Sequence, residues 1–113
     1  MKRALMPRFS NYAEIRMGSP YQSCKLTLEG PWVPELPDRA WQDIWAYDPK
    51  GRFLAFIAWD IDQDNEPGFR VLVIDTKSKT TTESLRFAGC CNSIQWSSTG
   101  FRLDIFGFVR IGW

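Results

Sequence analysis

Apolar and polar residues alternate in several short runs of this chain, and a period of two is typical of a β-strand with one buried face. The segment 52–59 is different, because almost every position in it is apolar. Such a run predicts a central strand that is buried on both faces. No run has the period of an amphipathic helix, so the pattern predicts an all-β, antiparallel fold. The predicted strands cover residues 24–29, 41–47, 52–59, 69–75, 83–87, 93–96 and 102–108, with a closing strand at Ile111 and Trp113.

One strand–turn–strand pattern occurs twice, 49 residues apart. Residues 45–56 align with residues 94–105 without a gap, and apolar residues at period-two spacing fall on the same positions in both. The turns read Asp-Pro-Lys-Gly and Ser-Ser-Thr-Gly, so Gly51 and Gly100 each supply a residue that adopts a positive φ without steric cost. Each copy is therefore predicted to be a β-hairpin. Repeats of this period are typical of β-propellers, although 113 residues are too few for a closed ring of four blades.

The repeat predicts a single domain over all 113 residues, built from two related units. The blade-like units are predicted at 21–60 and 83–113, and the hairpin region 61–82 joins them. Residues 1–20 have no sustained period and are predicted to be an N-terminal arm or a short irregular helix. The first copy carries about ten additional residues, which form the proline-rich segment 31–40. An insertion in one copy of a repeat commonly becomes a functional loop.

The net charge of +1 hides a strongly acidic central segment. Residues 29–66 carry nine acidic and three basic side chains, whereas the segments before and after them are basic. An acidic face of this kind favours a basic protein partner and argues against nucleic-acid binding, since it would repel phosphates. No apolar run reaches transmembrane length, and none follows the basic start as in a signal peptide, so a cytoplasmic protein without membrane association is expected. Cys24, Cys90 and Cys91 are odd in number and are expected to be free thiols.

The inventory of reactive side chains predicts a protein without enzymatic activity and without a cofactor. The chain has no histidine, which is the commonest general base and metal ligand. It also has no glycine-rich phosphate loop and no nucleophile elbow. The segment 60–66 imitates the start of a calcium loop, but Asn65 stands where glycine is required and Val71 where glutamate is required, so no metal site is expected. A hydrolase that uses paired carboxylates is the enzymatic alternative, since carboxylates are numerous.

Two stretches of the chain resemble known repeat proteins. Residues 47–55 are similar to the hairpin of blades in WD-repeat and TolB-like β-propellers, and residues 70–77 resemble the third strand of such a blade, with Ile74-Asp75 in place of Trp-Asp. The Gly-His pair of WD repeats is absent. The resemblance implies a partial propeller, or a sandwich-like pair of blade-like sheets. Through its small size, acidic loops and many tryptophans, the chain also resembles immunity proteins of contact-dependent growth inhibition systems, which implies a bacterial inhibitor of a toxin.

The leading functional hypothesis is a non-enzymatic protein that neutralises a cognate nuclease-type toxin by occluding its active site. Acidic loops would steer the protein towards the basic cleft of the toxin. Trp32 and Trp41 fall outside the alternating runs and would be exposed aromatic anchors. The alternative is an assembly module that self-associates through exposed edge strands, as in a homodimer. The acidic candidates for partner binding are Glu35, Asp38, Asp60, Asp62, Asp64 and Glu66.

Overall fold

The computed structural model describes residues 5–14, 22–61, 66–103 and 108–110. The regular secondary structure of these residues consists of β-strands, and all strand pairs are antiparallel. The predicted all-β, antiparallel class is therefore confirmed. The strands are β1 (Met6–Glu14), β2 (Gln22–Glu29), β3 (Trp41–Tyr47), β4 (Phe53–Trp59), β5 (Gly68–Asp75), β6 (Thr80–Glu83), β7 (Phe87–Ala88), β8 (Ile94–Ser97), β9 (Gly100–Leu103) and β10 (Phe108–Arg110).

The strands form a large sheet in the order β1-β2-β3-β4-β5-β6 and a small sheet in the order β10-β9-β8. The short β7 also pairs with β5, on the same side as β6, because β4 occupies the other side along almost the whole of β5. Apart from β7, strands that are neighbours in a sheet are consecutive in sequence, so short connections suffice. Neither sheet closes on itself within the described residues. The large sheet therefore has one edge at β1 and the other at β6 and β7.

The N-terminal segment forms a strand, so the prediction of an arm or a short irregular helix is wrong for residues 6–14. β1 pairs with β2, and Arg8 forms a cross-strand ion pair with Glu29 (Nε to Oε1, 2.7 Å). β1 lies at the edge of the sheet and exposes Met6 and Tyr12, so it lacks the apolar alternation that would reveal a strand. Pro7 is compatible with this position, because an edge strand tolerates a missing backbone donor.

Two hydrophobic cores lie on opposite faces of the large sheet, and β4 contributes to both. All seven residues of β4 are buried, which confirms the predicted central strand. Its even-numbered residues share a core with β2, and most of its odd-numbered residues share a core with the small sheet. β2 joins β3 through a single residue pair, Cys24 with Trp41, so the β1–β2 hairpin can leave the sheet and cover one face. The result is a sandwich-like arrangement of three layers.

The duplicated segments both form hairpins, β3–β4 and β8–β9, which confirms the predicted strand–turn–strand units. The two hairpins belong to different sheets and have different turns. In the first copy, Tyr47 pairs with Leu54 and a further backbone hydrogen bond leaves residues 49–52 in the turn. In the second copy, Ser97 pairs with Gly100 and leaves a two-residue turn. The repeat in sequence therefore does not produce two equivalent units.

The glycines of the two turns have different roles, although the sequence predicts the same role for both. Gly51 adopts the expected positive φ of 72°. Gly100 does not, and Ser98 takes the positive φ (20°) in the second turn. At Gly100 the constraint is space, because a Cβ there would collide with the backbone carbonyl of Val109 in β10. The prediction of a positive φ is thus right for Gly51 and wrong for Gly100.

The side chain of Asp48 accounts for the wider first turn. Its carboxylate accepts hydrogen bonds from the backbone N–H groups of Phe53 (2.7 Å) and Lys50 (3.3 Å), and its carbonyl accepts one from Gly51 (2.9 Å). The matching residue of the second copy is Ser97, whose shorter side chain has one oxygen where Asp48 uses two separate carboxylate oxygens to accept from Lys50 and Phe53. Similar sequences therefore close in different registers.

Asp75 ends β5 and organises the turn that follows. Its carboxylate accepts two hydrogen bonds from the guanidinium of Arg52, both of 2.9 Å. It also accepts hydrogen bonds from the backbone N–H groups of Lys77 (3.0 Å) and Ser78 (3.2 Å). The hydrogen bonds from Arg52, stronger in effect than partial burial, hold the pKa of Asp75 well below its ordinary range. The carboxylate therefore stabilises the fold in its ionised form.

Replacing Asp75 with asparagine is expected to lower the free energy of unfolding at pH 7 by about 1–2 kcal/mol, the effect of charge-assisted hydrogen bonds to a partly exposed arginine. Because the folded-state pKa is depressed, this stabilisation is present above the unfolded pKa of about 3.9 and is lost as the pH falls towards the folded-state value. Urea unfolding at pH 7 and pH 2.5 should therefore give a smaller difference between the two proteins at pH 2.5. Asp38→Asn, which changes an exposed carboxylate, is the control and should have little effect at either pH. A difference for Asp75→Asn that does not depend on pH would contradict this role.

Candidate protein-binding edge

The edge of the large sheet formed by β6 and β7, hereafter the β6–β7 edge, brings together residues that are distant in sequence. Arg39 of the proline-rich segment lies 2.9 Å from Glu83 of β6 (Nε to Oε1). Arg70 of β5 donates a hydrogen bond to Asp60, the first residue of the acidic loop 60–66. The proline-rich segment and the acidic loop are the two features that distinguish the first repeat copy from the second. Arg39 of the first feature and Asp60 of the second thus border the same edge.

The acidic candidates from the sequence have different environments. Asp60 is partly buried, with 23% of its side chain exposed. Asp62 and Asp64 lie outside the described residues. Three candidates are exposed: Glu35, Asp38 and Glu66.

The two tryptophan candidates are not exposed anchors. Trp41 is only 3% exposed and belongs to the core between the β1–β2 hairpin and the large sheet, so the expectation that it is exposed is wrong. Its position at the start of β3, where it pairs with Cys24 and Ala58, turns the residue into that core. Trp32 is partly buried and packs against the same core.

A β-bulge interrupts the β6–β7 edge. Leu72 pairs with Glu83, whereas Phe69 pairs with Phe87, so the edge has one residue more than β5 over this stretch. The structure thus corrects the predicted strand 83–87. The strand β6 already begins at Thr80, and the segment 83–87 is broken after its first residue.

Leu85 and Arg86 are the two residues that oppose Arg70 at the bulge, and their side chains have different environments. Leu85 is 85% exposed, the highest exposure among the large apolar residues that the structure describes as exposed. Arg86 turns inward and donates hydrogen bonds to the backbone carbonyls of Asp60 (3.0 Å) and Glu66 (2.9 Å). The bulge therefore presents a leucine outward and uses an arginine to hold both ends of the acidic loop.

Gly68 provides the space for this arginine. A Cβ at Gly68 would collide with the guanidinium of Arg86. The edge at this point is held further by Ser84, whose backbone N–H donates to the carbonyl of Val71 (2.8 Å) and whose hydroxyl accepts from the N–H of Val71 (2.9 Å). The ends of the acidic loop are thus attached to an ordered part of the sheet.

The charge of Asp60 is compensated within the chain. Its carboxylate accepts a hydrogen bond of 2.5 Å from the Nε of Arg70, which lowers the pKa of Asp60 in spite of the opposing effect of partial burial. The positive charges of Arg86 and Arg39 act in the same direction. Asp60 therefore anchors the loop, and any long-range attraction of a basic partner rests on the exposed carboxylates instead.

A groove of about 480 Å³ lies between the proline-rich segment and β6. Its wall and floor include the apolar side chains of Leu36, Pro37 and Leu72, and two carboxylates, Glu35 and Glu83, also line it together with Thr81. Although Arg39 is close to Glu83, the facing Nε and Oε1 atoms are both buried without a hydrogen-bond partner. The contact is thus an ion pair without hydrogen-bond geometry. A groove with apolar walls and carboxylates suits a cation on an apolar stem.

Groups with evident reactive chemistry do not converge at this edge. Among the described residues, no group of three or more histidine, cysteine, aspartate or glutamate side chains is placed to hold a metal ion. The thiol of Cys24 is not activated, because burial, with a smaller effect from Asp43, raises its pKa to about 11.

Comparison of the chain with protein-family models, with curated proteins and with solved structures finds no match. Across the part of the chain that the structure describes, there is no helix with the length and apolar character needed to cross a membrane.

Sequence reasoning missed Leu85, Arg86 and the groove. In the sequence, Leu85 is two residues from both Glu83 and Phe87, so it is predicted to share one face of a regular strand with them. The bulge breaks this alternation, and no residue type near it in sequence predicts a bulge. A weak signal is Gly68 at the start of the strongly apolar β5, since a glycine in a strand can mark the close approach of another group.

Proposed function

We propose that this chain is a non-enzymatic binding protein that neutralises a basic protein partner, and that the partner is a nuclease-type toxin whose active site it occludes. The observation that carries the proposal is Leu85, exposed on the bulge of a sheet edge with which no further described strand pairs. Single exposed apolar residues are common on protein surfaces. Leu85 differs because the bulge that exposes it also clamps the acidic loop, beside a groove lined with carboxylates.

Each part of the β6–β7 edge has a role in this function. The exposed carboxylates Glu35 and Asp38 increase the association rate with a basic surface through long-range attraction. Leu85 is the apolar anchor that loses its water on contact, the role that the sequence assigns to tryptophans. Arg70 and Arg86, which contact the ends of the acidic loop, hold the edge in one geometry before binding. This reduces the entropy lost on association.

The direct test uses a toxin domain encoded next to this gene and measures inhibition of its nuclease activity together with stopped-flow association. We expect Leu85→Asp to weaken binding by about tenfold or more, as expected for the anchor of an interface. The matched control is Tyr12→Asp, since Tyr12 is also exposed (50%) but lies in β1, at the opposite edge of the large sheet. The double variant Glu35→Gln/Asp38→Asn should slow association and reduce its dependence on salt. Failure of the unchanged protein to inhibit the toxin, or equal binding by Leu85→Asp, would overturn the proposal.

Self-association is the second candidate, and a specific register favours it. If two copies of β6 pair antiparallel about Thr81, Lys79 of each copy lies opposite Glu83 of the other, and opposite charges on facing residues stabilise strand pairs. Sedimentation velocity over a range of concentrations distinguishes this assembly function, because it predicts a dimer that forms without a foreign partner.

A further inference from the structure

We propose that a basic, extended segment of the partner adds to β6 as a further strand, and that an arginine or lysine of this segment lies in the groove between Glu35 and Glu83. This inference rests on the proposed function, from which it takes the premise that the partner is basic. It specifies how the partner is held, through backbone hydrogen bonds to the edge and one side chain in the groove.

The hydrogen-bond pattern of the edge shows which backbone groups are available. The N–H of Ser84 donates to the carbonyl of Val71, so these two residues form a hydrogen-bonded pair. In an antiparallel ladder such pairs alternate with pairs that are not hydrogen-bonded. Thr80 and Thr82 therefore bond to β5, whereas the N–H and C=O groups of Thr81 and Glu83 point away from it. In the described ranges, no further strand pairs with β6 on that side.

The same two residues line the groove. Residues that face each other on neighbouring strands direct their side chains to the same side of the sheet. Positions of an added strand opposite Thr81 and Glu83 therefore have their side chains on the groove side. The backbone positions that form hydrogen bonds and the side-chain positions that reach the groove are thus the same.

The charges and walls of the groove select the side chain. Leu36, Pro37 and Leu72 provide apolar surface for the stem of a long side chain, and the carboxylates of Glu35 and Glu83 face its cation. Arg39 is the positive group beside Glu83, but the buried Oε1 and Nε atoms of this pair make no hydrogen bond. Glu35 is exposed and also lines the groove. A basic side chain fits this arrangement better than a neutral or acidic one.

The edge limits the added strand to a short segment. Lys79, with its left-handed φ of 57°, precedes β6, and the bulge at Leu85 and Arg86 follows it. Charged residues, short length and bulges protect sheet edges against unlimited strand addition. The bulge also places Leu85 just beyond the added strand, where a folded partner would contact it.

A capped heptapeptide of alternating threonine and valine, with arginine in the central position, is a suitable probe. Titration of the labelled full chain, followed by amide chemical shifts and cross-strand NOEs, should show changes at Thr81 and Glu83 and much smaller changes at Thr80 and Thr82. Replacing the central arginine of the peptide with glutamate should weaken binding by about tenfold. Glu35→Gln should reduce the preference for arginine, whereas the control Asp43→Asn, which changes an exposed carboxylate of β3, should not. Thr81→Pro removes one outward N–H without removing a bond to β5, and it should abolish peptide binding while the far-ultraviolet spectrum is retained.

Equal affinity for the two peptides, or shifts confined to another surface, would overturn the inference. Concentration-dependent shifts at Thr81 and Glu83 without peptide would also overturn it, because a second copy would then occupy the edge. The failures of the two proposals are distinguishable. If Thr81→Pro inhibits the toxin as well as the unchanged protein does, this docking mode fails and the proposed function stands. If the arginine peptide binds as expected but no toxin is inhibited, the docking mode stands and the proposed function fails.

Discussion

Replacing Trp41 with alanine is expected to lower the free energy of unfolding by about 3–5 kcal/mol, the usual cost of truncating a large buried aromatic side chain. Trp41 is 3% exposed and packs in the core that joins the β1–β2 hairpin to the large sheet. The hairpin connects to β3 through only one residue pair, so this core is the main attachment. Since small domains have only about 5–15 kcal/mol of stability, the variant should be close to unfolding at room temperature.

The matched control for this variant is Trp32→Ala. Trp32 packs against the same core but is only partly buried, so its truncation should cost about 1–2 kcal/mol. Trp41→Phe keeps an aromatic ring in the core and should lie between the two. Urea unfolding followed by far-ultraviolet circular dichroism measures all three without depending on tryptophan fluorescence. If Trp41→Ala proved no more destabilising than Trp32→Ala, Trp41 would not have the structural role assigned to it.

Gly100→Ala is expected to destabilise the chain by about 3 kcal/mol, at the upper end of the range for overpacking. The added methyl group would collide with the backbone of β10 at Val109 and Arg110, and a backbone obstacle has no side-chain torsion by which to move away. The pairing of β9 with β10 should therefore loosen first. Hydrogen exchange should show faster exchange at Phe101 and Val109, and calorimetry should show a lower Tm.

Gly68→Ala makes a control with the same change and a different obstacle. At Gly68 the colliding group is the guanidinium end of Arg86, which can move. The cost should be about 1 kcal/mol and should appear mainly as lost attachment of the acidic loop. An equal loss of stability for the two glycines would show that the type of obstacle does not decide the effect.

The β6–β7 edge gives a physical meaning to the asymmetry between the repeat copies. The first copy alone has a proline-rich segment before it and an acidic loop after it. The structure places Arg39 of the first segment and Asp60 of the second at one edge, where they contact Glu83 and Arg70. Arg70 of β5 and Arg86 of the bulge hold the ends of the acidic loop, whereas Arg39 belongs to the proline-rich segment itself. The neutralising function that we propose therefore depends on a surface that neither copy contains alone.

Several elements follow from the sequence because their signal is local. β4 is apolar at nearly every position, and this requires cover on both faces wherever the strand lies. The hairpins β3–β4 and β8–β9 follow from alternation interrupted by turn residues. The edge strand β1 gives no such signal, because most of its described side chains are exposed and alternation records burial.

By itself, the sequence determined the all-β class, the central strand and the two hairpins, because alternation and turn chemistry act over a few residues. Only the tertiary structure decided the need for glycine at position 100, the burial of Trp41 and the bulge that exposes Leu85. Each of these depends on a group that is distant in sequence: the backbone of β10 beside Gly100, the β1–β2 hairpin over Trp41, and the space above Gly68 that receives Arg86. The candidate binding edge belongs to this second class, because long-range packing and ion pairs assemble it from segments that carry no common pattern.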